Sequence, residues 1–511
     1  MSRPDALTVE ALLREQSARQ PDAVSILGVG APPLTAAGLT ALIDRTRLAL
    51  RALGFGARDR LGLVLANGPE AATGFLAIAA SGACAPLNPA YTQAELEFAL
   101  ADIGASALVV SEGRFPAAEA AASALRLPLV RLHAVEGAPA GVFQLGPDQQ
   151  APTPTQPDAL PGPDDVALLL HTSGTTSRPK LVPLRQRHLA TSALAIAEAL
   201  GLGPGDRCLN VMPLFHVHGL VGALLSSLAA GASVTCTPGF HALRFSSWLD
   251  DHAPTWFTAV PTMHQAILAR LARRPPEAHT LRFVRSCSAP LPPRVHRDLE
   301  ACFRVPVVEA YGMTEAAHQI ACNPLPPGQR RPGSVGLPTG TSVAIMDDGG
   351  RLLPPGETGE IVIRGPAVTD GYERNEEANA SAFVDGWFRT GDQGWLGADG
   401  YVHLAGRLKE IINRGGEKIS PVEVDGALAD HPAVRFAVAF ALPHDTLGED
   451  IAAAVVLAEG ETVGESELRA FVRERLAAFK VPSRILFVGE IPKGPTGKLQ
   501  RIGLASALGL S

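Results

Sequence analysis

The segment VALLLHTSGTTSRPK, residues 166–180, combines an apolar run with a cluster of hydroxyl side chains and one lysine. The apolar part, residues 166–170, predicts a buried strand because turn-forming residues follow it. The polar part offers hydroxyls, backbone N–H groups around Gly174 and the ammonium of Lys180, which together can hold phosphate oxygens. The G-x-x-x-x-G-K-[ST] spacing of a Walker A loop is absent. For this segment alone, phosphate binding and an ordinary Ser/Thr-rich surface loop both remain open.

Seven other segments have the same character, because each is polar and follows a predicted strand. In chain order they read MPLFHVHGL, FTAVPTMH, RSCSAPL, VVEAYGMTEAAH, WFRTGDQGW, GRLKEIINRGGEKISP and PKGPTGKLQR. In α/β proteins, ligands bind at the carboxyl ends of the strands, where such loops meet. The segments therefore predict one shared binding site rather than a set of unrelated loops.

The bulk composition limits the classes of protein to consider. A chain of 511 residues is longer than one ordinary core, so two or more domains are expected. A net charge of −7 argues against a general nucleic-acid binder, although a small anionic substrate needs only a local positive patch. The six cysteines are scattered without C-x-x-C spacing, which favours reduced thiols in a cytosolic protein over disulfides or a zinc site.

The sequence shows no targeting signal and no membrane span. Residues 1–24 predict a capped amphipathic helix and lack the apolar stretch of a signal peptide. No apolar run reaches the ~18 residues of a membrane span, and the last residues, GLS, differ from the peroxisomal S-K-L signal. We therefore expect a cytoplasmic protein, and the choice between a monomer and a homodimer remains open.

The pattern of elements predicts an α/β fold. Residues 1–150 alternate helical patterns with short apolar runs such as Leu61–Leu65 and Ala107–Val110. The Pro- and Gly-rich residues 137–165 predict a loop. Beyond it, the sequence predicts a helix around His188–Leu200, and short strands at Ser233–Thr237, Trp256–Val260, Phe283–Ser286 and Val307–Ala310.

The character of the chain changes beyond residue 340. Asp-Asp-Gly-Gly and Pro-Gly turns separate β-rich runs in residues 342–365, which predicts an antiparallel β unit. From about residue 410 a separate α/β segment follows, with helices predicted at Val422–Ala429 and Glu465–Leu476. The glycines and charges of GRLKEIINRGGEKISP interrupt the apolar pattern and mark the candidate boundary.

Taken in order, these segments resemble the acyl-adenylate-forming superfamily, which includes acyl-CoA synthetases, nonribosomal peptide adenylation domains and luciferases. The resemblance implies a large N-terminal domain of α/β subdomains plus a β-rich unit, followed by a small mobile α/β C-terminal domain. The implied domains are residues 1–408 and 409–511, with Lys409 at the hinge. The implied reaction has two steps, adenylation of a carboxylate by ATP and transfer of the acyl group to a thiol.

By the same resemblance, one set of residues binds ATP: Thr172, Ser173, Gly174, Thr175, Thr176, Lys180, Ser288, Ala289, Pro290, Glu309, Ala310, Tyr311, Gly312, Thr314, Asp392, Arg407 and Lys498. Tyr311 would stack on the adenine, and Asp392 would accept hydrogen bonds from both ribose hydroxyls, with Arg407 close by. Thr314 would contact the α-phosphate, and Glu315 would bind Mg²⁺, since a carboxylate beside phosphates needs a cation between them. Taken singly, Tyr311, Glu315 and Asp392 are equally compatible with a core residue, a helix N-terminal acid and a turn former.

Lys498, in PTGK, is implied to be catalytic together with Glu315 and Thr314. Its ammonium would bridge the substrate carboxylate and the α-phosphate and offset charge in the pentavalent transition state. Gly415 and Gly416 would let the pantetheine arm of CoA approach closely, which a side chain would block. From the residues alone, the alternatives are a solvated surface lysine and an ordinary glycine turn.

The acid-binding pocket is predicted to be polar. The residues in FHVHG, RSCSAP and MTEAAH that stand where fatty-acyl ligases are apolar are His216, His218, Ser286, Ser288 and His318. A single histidine is more often structural, but together these side chains can neutralise a second carboxylate. Segments such as HTSGTTSRPK, MPLFHVHGL and EAYGMTEAAH resemble the oxalate–CoA ligase branch, which implies that His216, Ser288 and His318, with His218, bind the acid. Malonate ligases share the H-x-H-G word and are the nearest competitor.

These expectations lead to one principal function and two alternatives. The principal interpretation is an ATP- and Mg²⁺-dependent ligase that converts oxalate and CoA to oxalyl-CoA, with AMP and pyrophosphate as products. The first alternative is the same chemistry on malonate, another short acid or a medium-chain fatty acid. The second is a different class, an adenylating enzyme that loads a separate carrier protein.

Overall fold

A computed structural model gives the fold of the protein and describes residues 7–147, 160–172, 179–272, 275–276, 278–494 and 497–510. It confirms the predicted mixed α/β class, with four β-sheets in the described residues. Four of the residues predicted to hold phosphates, Ser173, Gly174, Thr175 and Thr176, lie outside the described residues.

The helices pack against the sheets through their apolar faces. The α-helices are Val9–Arg19, Ala36–Ala52, Pro69–Ala79, Gln93–Ile103, Pro116–Ala124, Gln186–Ala199, Ser226–Ala229, Phe245–His252, Pro261–Leu271, Pro293–Phe303, Glu376–Ala382, Pro421–Ala429, Glu465–Arg473 and Leu504–Ala507. A π-helix spans His218–Leu225, and 3₁₀ helices span Thr314–Ala316, Leu408–Glu410 and Ala478–Lys480. None of the helices in the described parts of the chain combines the length and the apolar character that a membrane span requires.

The largest sheet occupies the central part of the chain. Its strands, in spatial order, are Leu337–Pro338, His318–Cys322, Val307–Met313, Phe283–Ser286, Trp256–Ala259, Arg207–Asn210, Ser233–Cys236, Val24–Gly28 and Ala31–Thr35. The adjacent strands Trp256–Ala259, Phe283–Ser286 and Val307–Met313 run parallel to one another. Their carboxyl ends therefore share one edge, and three of the polar segments identified in the sequence begin there.

The second sheet contains Val166–Thr172, the strand that precedes the hydroxyl-rich segment. Its strands, in spatial order, are Phe143–Pro147, Leu129–Ala134, Ala107–Ser111, Arg60–Val64, Ala83–Pro86, Val166–Thr172 and Lys180–Arg185. One prediction is wrong here, because Phe143–Pro147, expected to be part of a loop, pairs with Leu129–Ala134 as an antiparallel edge strand. Pairing with a distant neighbour, rather than local composition, decides the structure of this segment.

The antiparallel β unit predicted beyond residue 340 is confirmed. Its strands are Leu352–Leu353, Ser342–Met346, Gly359–Arg364, Trp387–Leu396 and Phe383–Val384, with Val402–Arg407 paired to Trp387–Leu396. The register of this last pair sets Asp392 opposite Arg407. The β unit therefore places the Asp392 carboxylate next to the Arg407 guanidinium.

The C-terminal segment has a sheet of its own. Its strands are Glu417–Ile419, Ile412–Arg414, Gly448–Leu457, Val434–His444 and Arg484–Phe487. Its buried apolar side chains, from Ile412 to Leu504, form clusters separate from those of the preceding chain. Thr262 Oγ1 donates to the Gly497 carbonyl at 2.6 Å and attaches this segment to the larger body. A separate core fits a small C-terminal domain, and its boundary at residues 408 and 409 stays a prediction.

Candidate active site

A cavity of about 360 Å³ lies where the C-terminal segment meets the larger body. Ten of the residues predicted to bind ATP line it: Ser288, Ala289, Pro290, Glu309, Ala310, Tyr311, Gly312, Asp392, Arg407 and Lys498. They come from the central sheet, the β unit and the C-terminal segment. The structure therefore brings together residues that are up to about two hundred positions apart in the chain.

The side chain of Asp392 is held between two partners at one wall of the cavity. Tyr311 donates its hydroxyl to Asp392 Oδ2 at 2.5 Å, and Arg407 Nε lies 2.8 Å from Asp392 Oδ1. Burial raises the pKa of Asp392, while the guanidinium of Arg407 opposes that shift. Burial and the neighbouring carboxylate also raise the pKa of Tyr311, so the phenol remains a donor. These two contacts hold both carboxylate oxygens of Asp392 in place at the cavity surface.

Glu315 lies in the 3₁₀ turn Thr314–Ala316, directly after the strand that carries Tyr311. Tyr372 donates its hydroxyl to Glu315 Oε1 at 2.9 Å, and the Lys180 ammonium lies 4.4 Å from the centre of the Tyr372 ring. Burial raises the pKa of the Glu315 carboxyl. Within the described residues, no lysine or arginine forms an ion pair with it.

The surroundings of Glu315 fit a magnesium ion that is held mainly by phosphates. No group of three or more His, Cys, Asp or Glu side chains in the described residues could hold a metal ion by itself. Mg²⁺ is commonly bound through one or two carboxylates together with substrate phosphates and water. A buried carboxylate without a cationic partner supplies one such ligand.

Thr172 and Lys180 stand at the two ends of the segment whose intervening residues are not described. Thr172 ends one strand and Lys180 begins the next, and the two residues are paired across the antiparallel ladder. Thr172 Oγ1 also lies 3.5 Å from the Lys180 carbonyl oxygen. The ladder therefore places Thr172 and Lys180 side by side at one end of the two strands.

Lys498 reaches the cavity from the C-terminal segment. The Thr262 hydroxyl holds the carbonyl of the preceding residue, Gly497, at 2.6 Å. Burial and repulsion from Arg407 lower the pKa of the Lys498 ammonium, while Asp392 raises it. The same ammonium lowers the pKa of the His216 imidazole, which burial brings to about 3. Lys498 thus acts electrostatically on both the Asp392 carboxylate and the His216 imidazole.

Of the predicted pocket residues, His218, Ser288 and His318 belong to a hydrogen-bonded cluster beside the cavity. His218 Nδ1 lies 3.0 Å from Ser288 Oγ, and His218 Nε2 lies 2.7 Å from Thr258 Oγ1. The rings of His218 and His318 stack with centroids 4.9 Å apart. Ser286 Oγ is buried at the cavity wall and has no hydrogen-bond partner among the described residues. The cluster offers several polar atoms to a small ligand.

The His318 ring packs directly on Gly222 in the π-helix His218–Leu225. A Cβ atom added at Gly222 would lie 2.4 Å from the His318 imidazole. The missing side chain therefore makes room for the ring, and the ring fills space behind the pocket. Interruptions of α-helical geometry of this kind are frequent at functional sites.

Sequence reasoning missed Arg285, the first residue of RSCSAP. Its side chain is fully buried, with Nη1 3.2 Å from Thr258 Oγ1, and Nη2 3.1 Å from His318 Nε2. Nη2 also donates to Gln319 Oε1 at 2.8 Å. A charged residue in the middle of a strand otherwise read as buried is the signal that could have found it.

Backbone conformation is unusual at the same place. Ser288, Ala317 and His318 have φ values of +75°, +48° and +111°, which side-chain-bearing residues rarely adopt. Such conformations persist where the surrounding contacts require them, and they cluster at ligand sites. The pocket is therefore built with conformational strain on both sides of the histidine pair.

The residues predicted to meet CoA are not brought to the cavity. Gly415 and Gly416 form the exposed turn of a hairpin with φ of +60° and +92°, and neither lines the cavity. Lys409 is exposed in the 3₁₀ turn Leu408–Glu410. The structure thus joins Lys498 with the predicted ATP residues and leaves the glycine turn in solvent.

Comparisons with known proteins identify the family to which the chain belongs. The family model of the AMP-binding enzyme matches residues 13–373, and that of the AMP-binding enzyme C-terminal domain matches residues 423–498. Oxalate–CoA ligase of Arabidopsis thaliana is 46% identical over 97% of this chain and 98% of its own. Oxalate–CoA ligase of Saccharomyces cerevisiae is 42% identical over 89% of this chain and 88% of its own. The crystal structure of ATP-bound MatB from Rhodopseudomonas palustris superposes with a TM-score of 0.85, at 30% identity, over 96% and 97% of the two chains.

Proposed function

Because the chain belongs to the AMP-binding enzyme family, we propose that it is an ATP-dependent acid–thiol ligase that makes oxalyl-CoA from oxalate and CoA. The products besides the thioester are AMP and pyrophosphate. The observation that carries this proposal is the meeting of Lys498 and the Asp392 carboxylate at one cavity, where the lining residue Ser288 contacts the adjacent histidine cluster. The similarity to oxalate–CoA ligases over nearly the whole chain supports the choice of acid.

The nucleotide is proposed to bind along the wall formed by Tyr311 and Asp392. Asp392 would accept hydrogen bonds from the ribose hydroxyls, and the nearby Arg407 guanidinium favours the charged form of its carboxylate. The Tyr311 ring would lie against the adenine. Thr172 and Lys180 would flank the β- and γ-phosphates together with the residues between them.

Adenylation is proposed to proceed by attack of one oxalate oxygen on the α-phosphorus. A new P–O bond forms, the bond to the bridging oxygen of the β-phosphate breaks, and pyrophosphate leaves. The Lys498 ammonium would neutralise negative charge on the α-phosphate as it develops, and Thr314 would orient that phosphate. Glu315 would hold Mg²⁺, which offsets phosphate charge when bound.

Transfer to CoA is proposed to use a different arrangement of the C-terminal domain. The thiolate attacks the carbonyl carbon of the adenylate, the bond to the AMP oxygen breaks, and the thioester forms. Gly415 and Gly416 would then line the path of the pantetheine arm, since their lack of side chains permits close approach. Rotation about Lys409, which is exposed in its turn, would bring them there.

The second carboxylate of oxalate is proposed to bind the polar cluster. Ser288 lines the cavity and contacts His218, and His318 lies behind them. His216 would complete the set. A cluster of this kind suits a short dianion, since polar side chains that face an alkyl chain would lose their hydrogen bonds.

Pyrophosphate release with ATP, Mg²⁺ and CoA tests the proposal across oxalate, malonate, acetate, octanoate and coumarate. We expect oxalate to give the highest kcat/KM and a His318→Ala variant to lose that preference. His403→Ala is the matched control, because His403 also stacks on an aromatic ring but lies in the β unit. Preference for octanoate or coumarate would overturn the choice of acid, and activity only with an added carrier protein would overturn the choice of acceptor.

We further infer that the protein is cytoplasmic. All six cysteines are free thiols, and five of them are buried. Unpaired buried thiols are typical of a reducing compartment. Fractionation of the native cell followed by immunodetection tests this, and recovery in an oxidising compartment would contradict it.

A further inference from the structure

The guanidinium of Arg285 is a fully buried cation that has only neutral hydrogen-bond partners. Its hydrogen-bond contacts in the described residues are Thr258, His218, His318 and Gln319, and the Cys322 thiol also contacts it. No carboxylate of the described residues forms an ion pair with it. Buried charges are normally paired, because removal from water without a counter-charge is costly. No counter-charge within the described part of the chain therefore compensates this positive charge.

An arginine can only donate hydrogen bonds, and this determines the tautomer of His318. Arg285 Nη2 lies 3.1 Å from His318 Nε2, so that nitrogen must accept. Burial and repulsion from Arg285 lower the pKa of His318, which keeps the imidazole neutral. The single proton of a neutral ring with an accepting Nε2 is on Nδ1. His318 thus keeps one N–H donor on the side of the ring away from Arg285.

The same reasoning applies to a second chain of contacts. Arg285 Nη1 donates to Thr258 Oγ1 at 3.2 Å, so the Thr258 hydroxyl hydrogen is free to donate to His218 Nε2 at 2.7 Å. His218 then carries its proton on Nδ1 and donates to Ser288 Oγ at 3.0 Å. Because Ser288 Oγ accepts from His218, its own hydroxyl hydrogen is free to be donated to another partner, and Ser288 lines the cavity. Each link donates in the direction of the cavity.

We propose that Arg285 is a positioning residue that makes the acid pocket a set of hydrogen-bond donors and thereby selects a dicarboxylate over a monocarboxylate of equal size. This inference rests on the proposed ligase function. Through His318 and through Thr258, His218 and Ser288, the guanidinium orients donors toward a ligand that it does not touch. A second carboxylate accepts from those donors and supplies the missing negative charge, whereas a neutral group does neither.

The test compares oxalate with glycolate, which has one carboxylate and a neutral hydroxymethyl group. Arg285→Met removes the donors and the charge while keeping much of the volume. We expect kcat/KM for oxalate to fall by about 10- to 100-fold, and that for glycolate by less than about 3-fold, because a lost charge-assisted bond has this size. Arg285→Lys, which keeps a charge and donors, should recover part of the oxalate preference.

Arg282→Met is the matched control, since Arg282 lies three residues earlier and pairs with Asp206. It should leave the ratio of oxalate to glycolate unchanged. Equal losses on both acids in Arg285→Met, or no recovery in Arg285→Lys, would overturn the positioning role.

A second variant covers the case in which Arg285→Met does not fold. Thr258→Val keeps the shape of the side chain but breaks the link to His218, and it should lower the oxalate preference by about 5- to 10-fold. An unchanged preference in folded Thr258→Val would contradict the second donor chain. Failure of the wild-type protein to release pyrophosphate with oxalate would instead overturn the proposed function.

Discussion

At the nucleotide end of the cavity the Asp392 carboxylate has a cation and a phenol as partners, whereas at the acid end the Arg285 guanidinium has neutral partners alone among the described residues. The first end is electrostatically complete before a ligand arrives. The second end carries a charge that only a ligand compensates. Binding of the acid should therefore raise the free energy of unfolding of the protein more per ligand atom than binding of the nucleoside does. Lys498 lies between the two ends and acts on both.

The largest expected effect comes from removing the residue that joins the two ends. Lys498→Ala should lower the rate of adenylation by about 10²- to 10³-fold, because a preorganised charge at the α-phosphate is lost. Single-turnover release of pyrophosphate without CoA measures this. Lys493→Ala, in the same hairpin, is the control and should retain the wild-type rate, since Lys493 lies over Phe436. An equal loss of adenylation rate in both variants would show that the effect comes from a general disturbance of the loop and not from the charge of Lys498.

A smaller effect should be confined to the nucleotide end. Asp392→Asn removes the charge from an oxygen pair that Arg407 and Tyr311 hold, and should raise KM for ATP by about 10-fold or more. KM for oxalate should change by less than about 3-fold. Steady-state titration of each substrate at saturating levels of the others checks this. The control, Asp399→Asn, pairs with Arg331 away from the cavity. A larger change in KM for oxalate than in KM for ATP would contradict the assignment of Asp392 to the nucleotide end.

The acid end can be disturbed without removing any polar atom. Gly222→Ala places a methyl group 2.4 Å from the His318 ring, so the ring must shift and its bond to Arg285 must lengthen. We expect kcat/KM for oxalate to fall by about 10-fold, with KM for ATP unchanged. Gly74→Ala is the control, because Gly74 is also a buried helix glycine and an added methyl group there meets only ordinary contacts. Equal oxalate kinetics in both variants would contradict the packing argument.

The pH dependence of the adenylation rate tests the role of Lys498, which lies between the two ends. Burial and Arg407 lower the pKa of Lys498, so its ammonium deprotonates at a lower pH than a free lysine does. Adenylation requires the charged form, and its rate should fall with rising pH below the usual lysine pKa. Lys498→Arg stays charged and should lose this descending limb. Single-turnover profiles without CoA exclude titration of the thiol, and an unchanged limb in Lys498→Arg would contradict the assignment.

The smallest effect concerns the attachment of the loop. Thr262→Val removes the 2.6 Å hydrogen bond to the Gly497 carbonyl and should lower adenylation by about 2- to 10-fold. KM for oxalate and for ATP should move together, because the change affects Lys498 and neither wall. Thr280→Val is the control, since Thr280 bonds the Pro254 carbonyl within the larger body. A selective change in one KM would show that Thr262 serves one end only.

The fold could be predicted from the sequence largely because its strands are short, apolar and bounded by turns. Phe283–Ser286 is found as predicted, and the helix predicted around His188–Leu200 is found at Gln186–Ala199. The edge strand Phe143–Pro147 was missed because its composition is that of a loop and its pairing partner lies elsewhere in the chain. Local sequence patterns therefore predict the core strands and helices, but they fail where pairing with a distant segment determines the structure.

The site could be predicted as a set of residues but not as a set of contacts. Tyr311 and Asp392 are 81 residues apart, and no spacing rule indicates that they share a hydrogen bond. Arg285 escaped notice because arginines in a sequence are expected at the surface, and its burial depends on partners from three other segments. Roles assigned through the family resemblance, including those of Gly415 and Gly416, stay predictions.

Ser288 belongs to both ends, since it lines the nucleotide cavity and accepts from His218. For inhibitor design, this continuity means that an adenosine and a small planar dianion can be joined by a short linker that resists hydrolysis. Each end then raises the effective concentration of the other. Related ligases with apolar acid pockets would reject such a compound, because they would have to bury a charge without donors.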